Sequence, residues 1–140
     1  MVKHHGVPYL NKKQASLIIN KTNKNDIREI LGNPSTTSTF DNDVWIYIER
    51  KQTQSKLKNF GKMKIYENNV LVLEIDRYGV LKGKEFYNKD DMNKLKVTKN
   101  VTGENFDKNS FIYDFMSSMR QKINDPLGKR AENSKKISQR

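Results

Sequence analysis

The sequence predicts an α+β fold of two layers, a helix hairpin packed on a three-stranded antiparallel sheet (ααβββ), with a C-terminal amphipathic helix added. Three observations carry this. Residues 23–26 read as a helix cap, and the helix behind it closes on Leu31-Gly32 with Pro34 following. Three β-rich runs, 44–48, 63–76 and 80–87, then follow with alternating apolar positions and a tight turn between the last two. Finally, Phe111, Phe115 and Met119 recur at i, i+4 and i+8.

The elements follow in chain order. Residues 1–10 contain Gly6 and Pro8, show no period and read as an extended lead-in. The domain runs over 11–87. Its first helix starts at Asn11 as N-cap, with Leu10, Leu17 and Ile18 on one face and Ala15 and Ile19 widening it. After a polar break, Asn23 accepts from the backbone N–H of Asp26, whose charge suits the positive helix end. Ile27, Ile30 and Leu31 form the apolar stripe, and Gly32 is expected in a left-handed conformation just past the helix. Asp41-Asn42-Asp43 is a turn cluster; it lacks the glycine and the distant bidentate glutamate of a calcium loop.

Val44-Trp45-Ile46-Tyr47-Ile48 is a strand, with Trp45 and Tyr47 on one face as core aromatics or, alternatively, a partner contact. Residues 54–62 read as a polar loop. The strand over 63–76 places Ile65, Leu71, Leu73 and Ile75 on one parity and Tyr66, Val70, Val72 and Glu74 on the other. Arg77-Tyr78-Gly79 turns it into a hairpin with 80–87. Residues 88–105 are polar and without period, a tether. The amphipathic helix spans 106–123, flanking its stripe with Ile112, Met116 and Ile123; its apolar side must dock on its own domain or in a partner's groove. Residues 124–140 read as a basic, disordered tail.

Composition excludes several classes. With no cysteine in 140 residues, disulfides, thiol catalysis and thiolate metal sites are out. The histidines are adjacent, His4 and His5, and cannot build a His-based triad or cage. No apolar run approaches the ~20 residues of a transmembrane helix, and no basic-then-apolar signal segment is read at the start. No residue is singled out as catalytic, metal-ligating or cofactor-binding. The net charge of +11 invites a nucleic-acid reading, but 21 lysines stand against 6 arginines and are scattered. Arginine is the bidentate reader of phosphate and guanine, so a solvated lysine surface is the better account.

These motifs in this order resemble the BamE/SmpA/OmlA family of outer-membrane protein assembly lipoproteins. The resemblance covers roughly residues 5–87 and rests on the run Asn23 to Pro34, on Val44-Trp45-Ile46-Tyr47, and on Leu71 to Leu81 with its Ile75-Asp76-Arg77-Tyr78-Gly79-Val80 turn. Ser35 to Asp41 looks like the alphaproteobacterial branch. The positions matching family motifs are Asn23, Ile27, Leu31, Gly32, Pro34, Trp45, Tyr47, Asp76 and Gly79. The resemblance implies a non-enzymatic subunit of the outer-membrane β-barrel assembly complex on the periplasmic face. Its implied partners are the barrel subunit, other lipoproteins and anionic phospholipid, with no cofactor and no nucleic acid. Phe111, Phe115 and Met119 are then candidate partner contacts, and the sheet's second face a docking surface. Two departures stand out. The family usually has glycine where Lys21 stands, so Lys21 carries a positive φ or the turn differs. The family's signal and lipid-bearing cysteine are not in this sequence. Two other readings are a secreted binding module of β-lactamase-inhibitor-like shape and a basic nucleic-acid-binding protein.

Overall fold

Alternating apolar residues over β3 (Asp43–Gln54) and β4 (Met63–Ile75) build a long antiparallel pair that both faces of the molecule use. The computed structural model describes residues 2–54, 63–92 and 104–124. The other elements are β1 (Val2–Gly6), α1 (Leu10–Gln14), α2 (Lys24–Leu31), β2 (Thr36–Thr39), β5 (Leu81–Tyr87), α3 (Lys89–Met92) and α4 (Glu104–Asn124). All sheet pairings are antiparallel, in the order β1-β3-β4-β5, and β2 also pairs with β3.

The sheet therefore has five strands, not the expected three. The lead-in is a strand: Val2 to Gly6 pair with Thr53 to Glu49. β2 takes the other half of the same β3 edge, Thr36 opposite Ile46 and Thr39 opposite Asp43. Neither short strand has an alternating apolar pattern, because each is held by backbone pairing at an edge rather than by a buried face.

Side-chain parity divides the core as the sequence implies. Trp45, Tyr47, Leu71, Leu73 and Ile75 pack with Leu10, Leu17, Ile27, Leu31 and Leu81 under the helix hairpin. Val44, Ile46, Val70 and Val72 point to the other face, where Met116 and Met119 of α4 cover them. Phe111, Ile112 and Phe115 lie half-buried on that cluster, and the Phe111 ring meets Phe40 at 6.0 Å. Two layers thus become three: the second sheet face, expected as a docking surface, is occupied by the chain's own helix, the first of the two alternatives left to that helix. An apolar sheet face buries its surface against the nearest amphipathic element available.

Local details also differ. α1 begins at Leu10 behind Tyr9, not behind an Asn11 cap, and ends at Gln14. The segment after it is clasped to β5: the N–H of Asn20 donates to the Leu81 carbonyl, and that of Leu81 to Thr22, both at 2.8 Å. This turns the chain out of helical register, so Leu17 is buried while Ala15, Ile18 and Ile19 are exposed. The positive φ falls on Asn20 (69°), not Lys21; a short polar side chain tolerates that region better. In the expected tether, Asn88 and Asp91 exchange side-chain and backbone hydrogen bonds and start α3. The remainder of the tether (93–103), the polar loop (55–62) and the basic tail (125–140) lie outside the described residues.

Gly32 has φ 78° and ψ −158°, which is not the expected left-handed geometry. That region is essentially open to glycine alone. A Cβ there would meet nothing within 4 Å, so the penalty for a side chain is purely backbone strain. Gly32→Ala is expected to cost about 1–3 kcal/mol in a urea melt, and Gly32→Asn should bring no rescue, as it would at a left-handed site.

Candidate interaction surface

One end of the molecule gathers the start of α2, the start of β3 and the β4–β5 turn. The reciprocal cap forms as expected: Asn23 accepts from the Asp26 N–H at 2.9 Å, and Asp26 accepts from the Asn23 N–H at 3.3 Å. In the turn, Asp76 accepts from the N–H groups of Tyr78 (2.9 Å) and Val80 (3.0 Å), and Gly79 supplies a φ of 82°. The bond from Val80 first, then that from Tyr78 and the nearby Lys82 ammonium, hold the Asp76 carboxyl below the usual range despite some desolvation. The Lys24 N–H donates to Gly79 at 2.8 Å, and Asn23 bridges Val80, so cap and turn are one unit.

That unit displays its tip. Tyr78 is 76% exposed, and the Arg77 guanidinium lies 5.0 Å from its ring centroid and 3.0 Å from its hydroxyl. Beside it, the Lys24 ammonium meets Asp43 at 2.7 Å and holds that carboxyl below its ordinary value. Arg28 lies over the Trp45 ring at 4.8 Å. Exposed aromatic and guanidinium groups on a rigid turn give a surface suited to protein contact, since little conformational freedom is lost on docking.

Behind this surface, Trp45 is 4% exposed and Tyr47 fully buried, both in the core. The Tyr47 hydroxyl donates to the Gly32 carbonyl at 2.8 Å, tying the end of α2 to β3. Burial pushes its phenol up to about 12, against a small opposing effect of Arg28. The protonated phenol is thus favoured by folding. Its contribution is full below the ordinary value of 10.0 and is lost as pH rises toward about 12. Tyr47→Phe is expected to cost about 1–2 kcal/mol in equilibrium unfolding, because the Gly32 carbonyl loses its donor, and to remove that alkaline dependence, because phenylalanine carries no ionisable hydroxyl.

The opposite end of the hairpin holds a buried acid. Glu49, 2% exposed, shares the parity of Trp45 and Tyr47. Its carboxylate accepts from the N–H groups of Tyr9 (2.7 Å) and Leu10 (3.2 Å), from Asn69 Nδ2 (3.2 Å) and contacts His4 Nε2 (3.1 Å). It therefore caps α1 from another element and pins β1. Burial pushes its carboxyl up, but the four partners outweigh this and hold it below the ordinary value of 4.5. A depressed carboxyl stabilises the fold above the unfolded value and loses that contribution as pH falls. Glu49→Gln is expected to cost about 1.5–3 kcal/mol at neutral pH and to flatten the acid limb of stability, read from urea melts at stepped pH.

Of the residues the sequence singled out, Asn23, Asp76 and Gly79 meet at the cap–turn unit. Ile27, Leu31, Trp45 and Tyr47 form the core beneath it, and Gly32 and Pro34 close α2. Phe111, Phe115 and Met119 sit apart, against the far face of the sheet. Sequence reasoning missed Glu49, Gly6 and Tyr78. The signal for Glu49 was an acid on the buried parity of its strand. Among the described residues no group of three or more His, Cys, Asp or Glu is placed to hold a metal, and no helix is long and apolar enough to cross a membrane.

Compared with known proteins, residues 8–85 match the family model of the outer membrane protein assembly factor BamE domain. No curated protein and no solved structure matches the chain.

Proposed function

The chain belongs to the BamE family of outer membrane protein assembly factors, and from that premise we propose that it is a non-enzymatic subunit of the outer-membrane β-barrel assembly complex. It acts there by docking, holding other subunits in place on the periplasmic face of the membrane and so aiding insertion of barrel proteins. The family match is the observation that carries this reading. The cap–turn unit supports it, since its rigid tip shows Arg77 and Tyr78 to solvent. Those two residues are the proposed contact with the barrel subunit or a neighbouring lipoprotein. Phe111 and Phe115, half-buried on α4, leave part of their rings for a second contact, and Met119 supports them from beneath. The surplus of lysine favours anionic phospholipid headgroups nearby.

The test is retention in the complex. Arg77→Glu with Tyr78→Ala alters exposed groups, so the melting transition should hold, while co-purification with the detergent-solubilised assembly complex should fall by about tenfold. A photo-crosslinker at position 78 should capture another assembly subunit. Full co-purification of the double variant would refute the turn as the contact. An unchanged level of outer-membrane barrel proteins after deletion of the gene, with no assembly subunit captured by the wild-type chain, would refute the assembly role.

A further inference from the structure

β5 is the last strand of the sheet, and its outer edge is only partly closed. At Leu81 the segment around Asn20 and Thr22 takes both backbone groups. From Gly83 to Tyr87, no strand and no backbone hydrogen bond from another element reaches that edge among the described residues. Unpaired N–H and C=O groups in a row are a template for an added strand.

The side chains beside this edge are laid out unevenly. On the α4 side a groove is lined by Val72, Ile112, the exposed Ile19 and Gly83, together with Glu85 and the Lys108–Glu74 ion pair. Gly83 has no positive φ, so its backbone does not require glycine. A Cβ there would rest 3.7 Å from Glu74, an ordinary contact. The position thus has room for a small side chain against Glu74, beside a free edge. On the other side the Lys84 ammonium rests on the carbonyls of Gln14 and Leu17, at 2.8 and 2.9 Å. Its partners are neutral, and among the described residues no carboxylate lies within ion-pair distance of it. The whole chain adds +11 behind it.

We propose that the Gly83–Tyr87 edge of β5 binds an extended, acidic segment of a partner protein as a sixth strand of the sheet. Its apolar side chains fill the groove over Gly83, and an acidic side chain on the opposite face pairs with Lys84. Backbone bonds supply the register and the alternating pattern supplies selectivity. A second copy of the chain fits less well. In the two-fold antiparallel registers centred on residues 84 and 85, Lys84 faces Lys84 or Glu85 faces Glu85, and like charges directly opposite are destabilising; the register centred on Phe86 sets Glu85 opposite Tyr87 and leaves Gly83 and Lys84 outside the paired edge. The proposal does not require the assembly role, and its test uses none of the assembly subunits.

The experiment uses the full chain and three synthetic nine-residue peptides: alternating valine and glutamate, alternating valine and lysine, and the first with a central proline. Amide hydrogen exchange by NMR reads the edge directly. The valine–glutamate peptide should slow exchange of the outward amides of residues 83–87 by about tenfold or more, and its affinity should fall with added salt. The valine–lysine and proline peptides should bind at least about tenfold more weakly. Gly83→Val should keep the melting transition of the parent and weaken the valine–glutamate peptide by a similar factor. Three outcomes would overturn the proposal: no slowing at 83–87 with any peptide, equal binding by Gly83→Val, or slowing that grows with protein concentration alone, which would assign the edge to a second copy.

Discussion

Trp45→Ala is expected to lose about 3–5 kcal/mol, the cost of deleting a large aromatic from a packed core. The indole is 4% exposed and lies in the cluster formed by Leu10, Leu17, Ile27, Leu31, Leu71 and Leu73. Its rim carries the Arg28 guanidinium at 4.8 Å and the Lys24 ammonium at 5.9 Å. At Trp45, β3 is flanked by Thr37 of β2 and Leu73 of β4, so the cavity would open where three strands meet. Small domains have only about 5–15 kcal/mol in total, and the variant should melt far below the parent in urea or on heating. Because the ring faces the core and not solvent, its loss in complex formation should track its loss in stability. A variant that melts normally yet fails to join the complex would assign Trp45 to a partner instead.

Gly6→Ala is the smallest substitution with a comparable effect. Gly6 has φ 83°, and a Cβ there would stand 2.1 Å from the Ile48 carbonyl oxygen and 2.8 Å from its carbon. The neighbouring Val7 N–H donates to that same oxygen at 2.8 Å. The carbonyl cannot retreat without breaking that bond and the register of Gly6 opposite Glu49. Strain at positive φ and the steric conflict together come to about 3–5 kcal/mol. The alternative to global loss is detachment of β1, which frees His4 from Glu49 and disturbs the Tyr9 and Leu10 donors. Amide exchange separates the two: fast exchange confined to the β1 backbone marks detachment, while a lowered urea midpoint with uniform exchange marks destabilisation of the whole. Full protection of β1 together with an unchanged midpoint would contradict the geometry.

These two residues were unequally visible. Trp45 announced itself, since an aromatic in a β-branched run with alternating neighbours reads as a strand core position. Gly6 in a short polar lead-in carried no such mark. Its constraint comes from Ile48, more than forty positions away, and nothing local encodes that approach. Glu49 lies between the cases. Its parity was readable, but its four partners come from β1, the start of α1 and β4.

By itself the sequence determined the elements whose causes lie within a few residues. The cap of α2 needs Asn23 and Asp26 alone, the β4–β5 turn needs Asp76 and Gly79, and the parity of β3 and β4 follows from alternation along each strand. It also carried the family, because those local motifs stand in a particular order. Tertiary structure decided the rest: β1 and β2 on one edge of β3, the early end of α1, the unusual backbone at Gly32, and α4 laid across the second face of the sheet. Each depends on backbone edges or apolar surfaces that exist only once distant segments have met. Edge pairing has no side-chain period to read, and an amphipathic stripe states that a helix must dock without stating where.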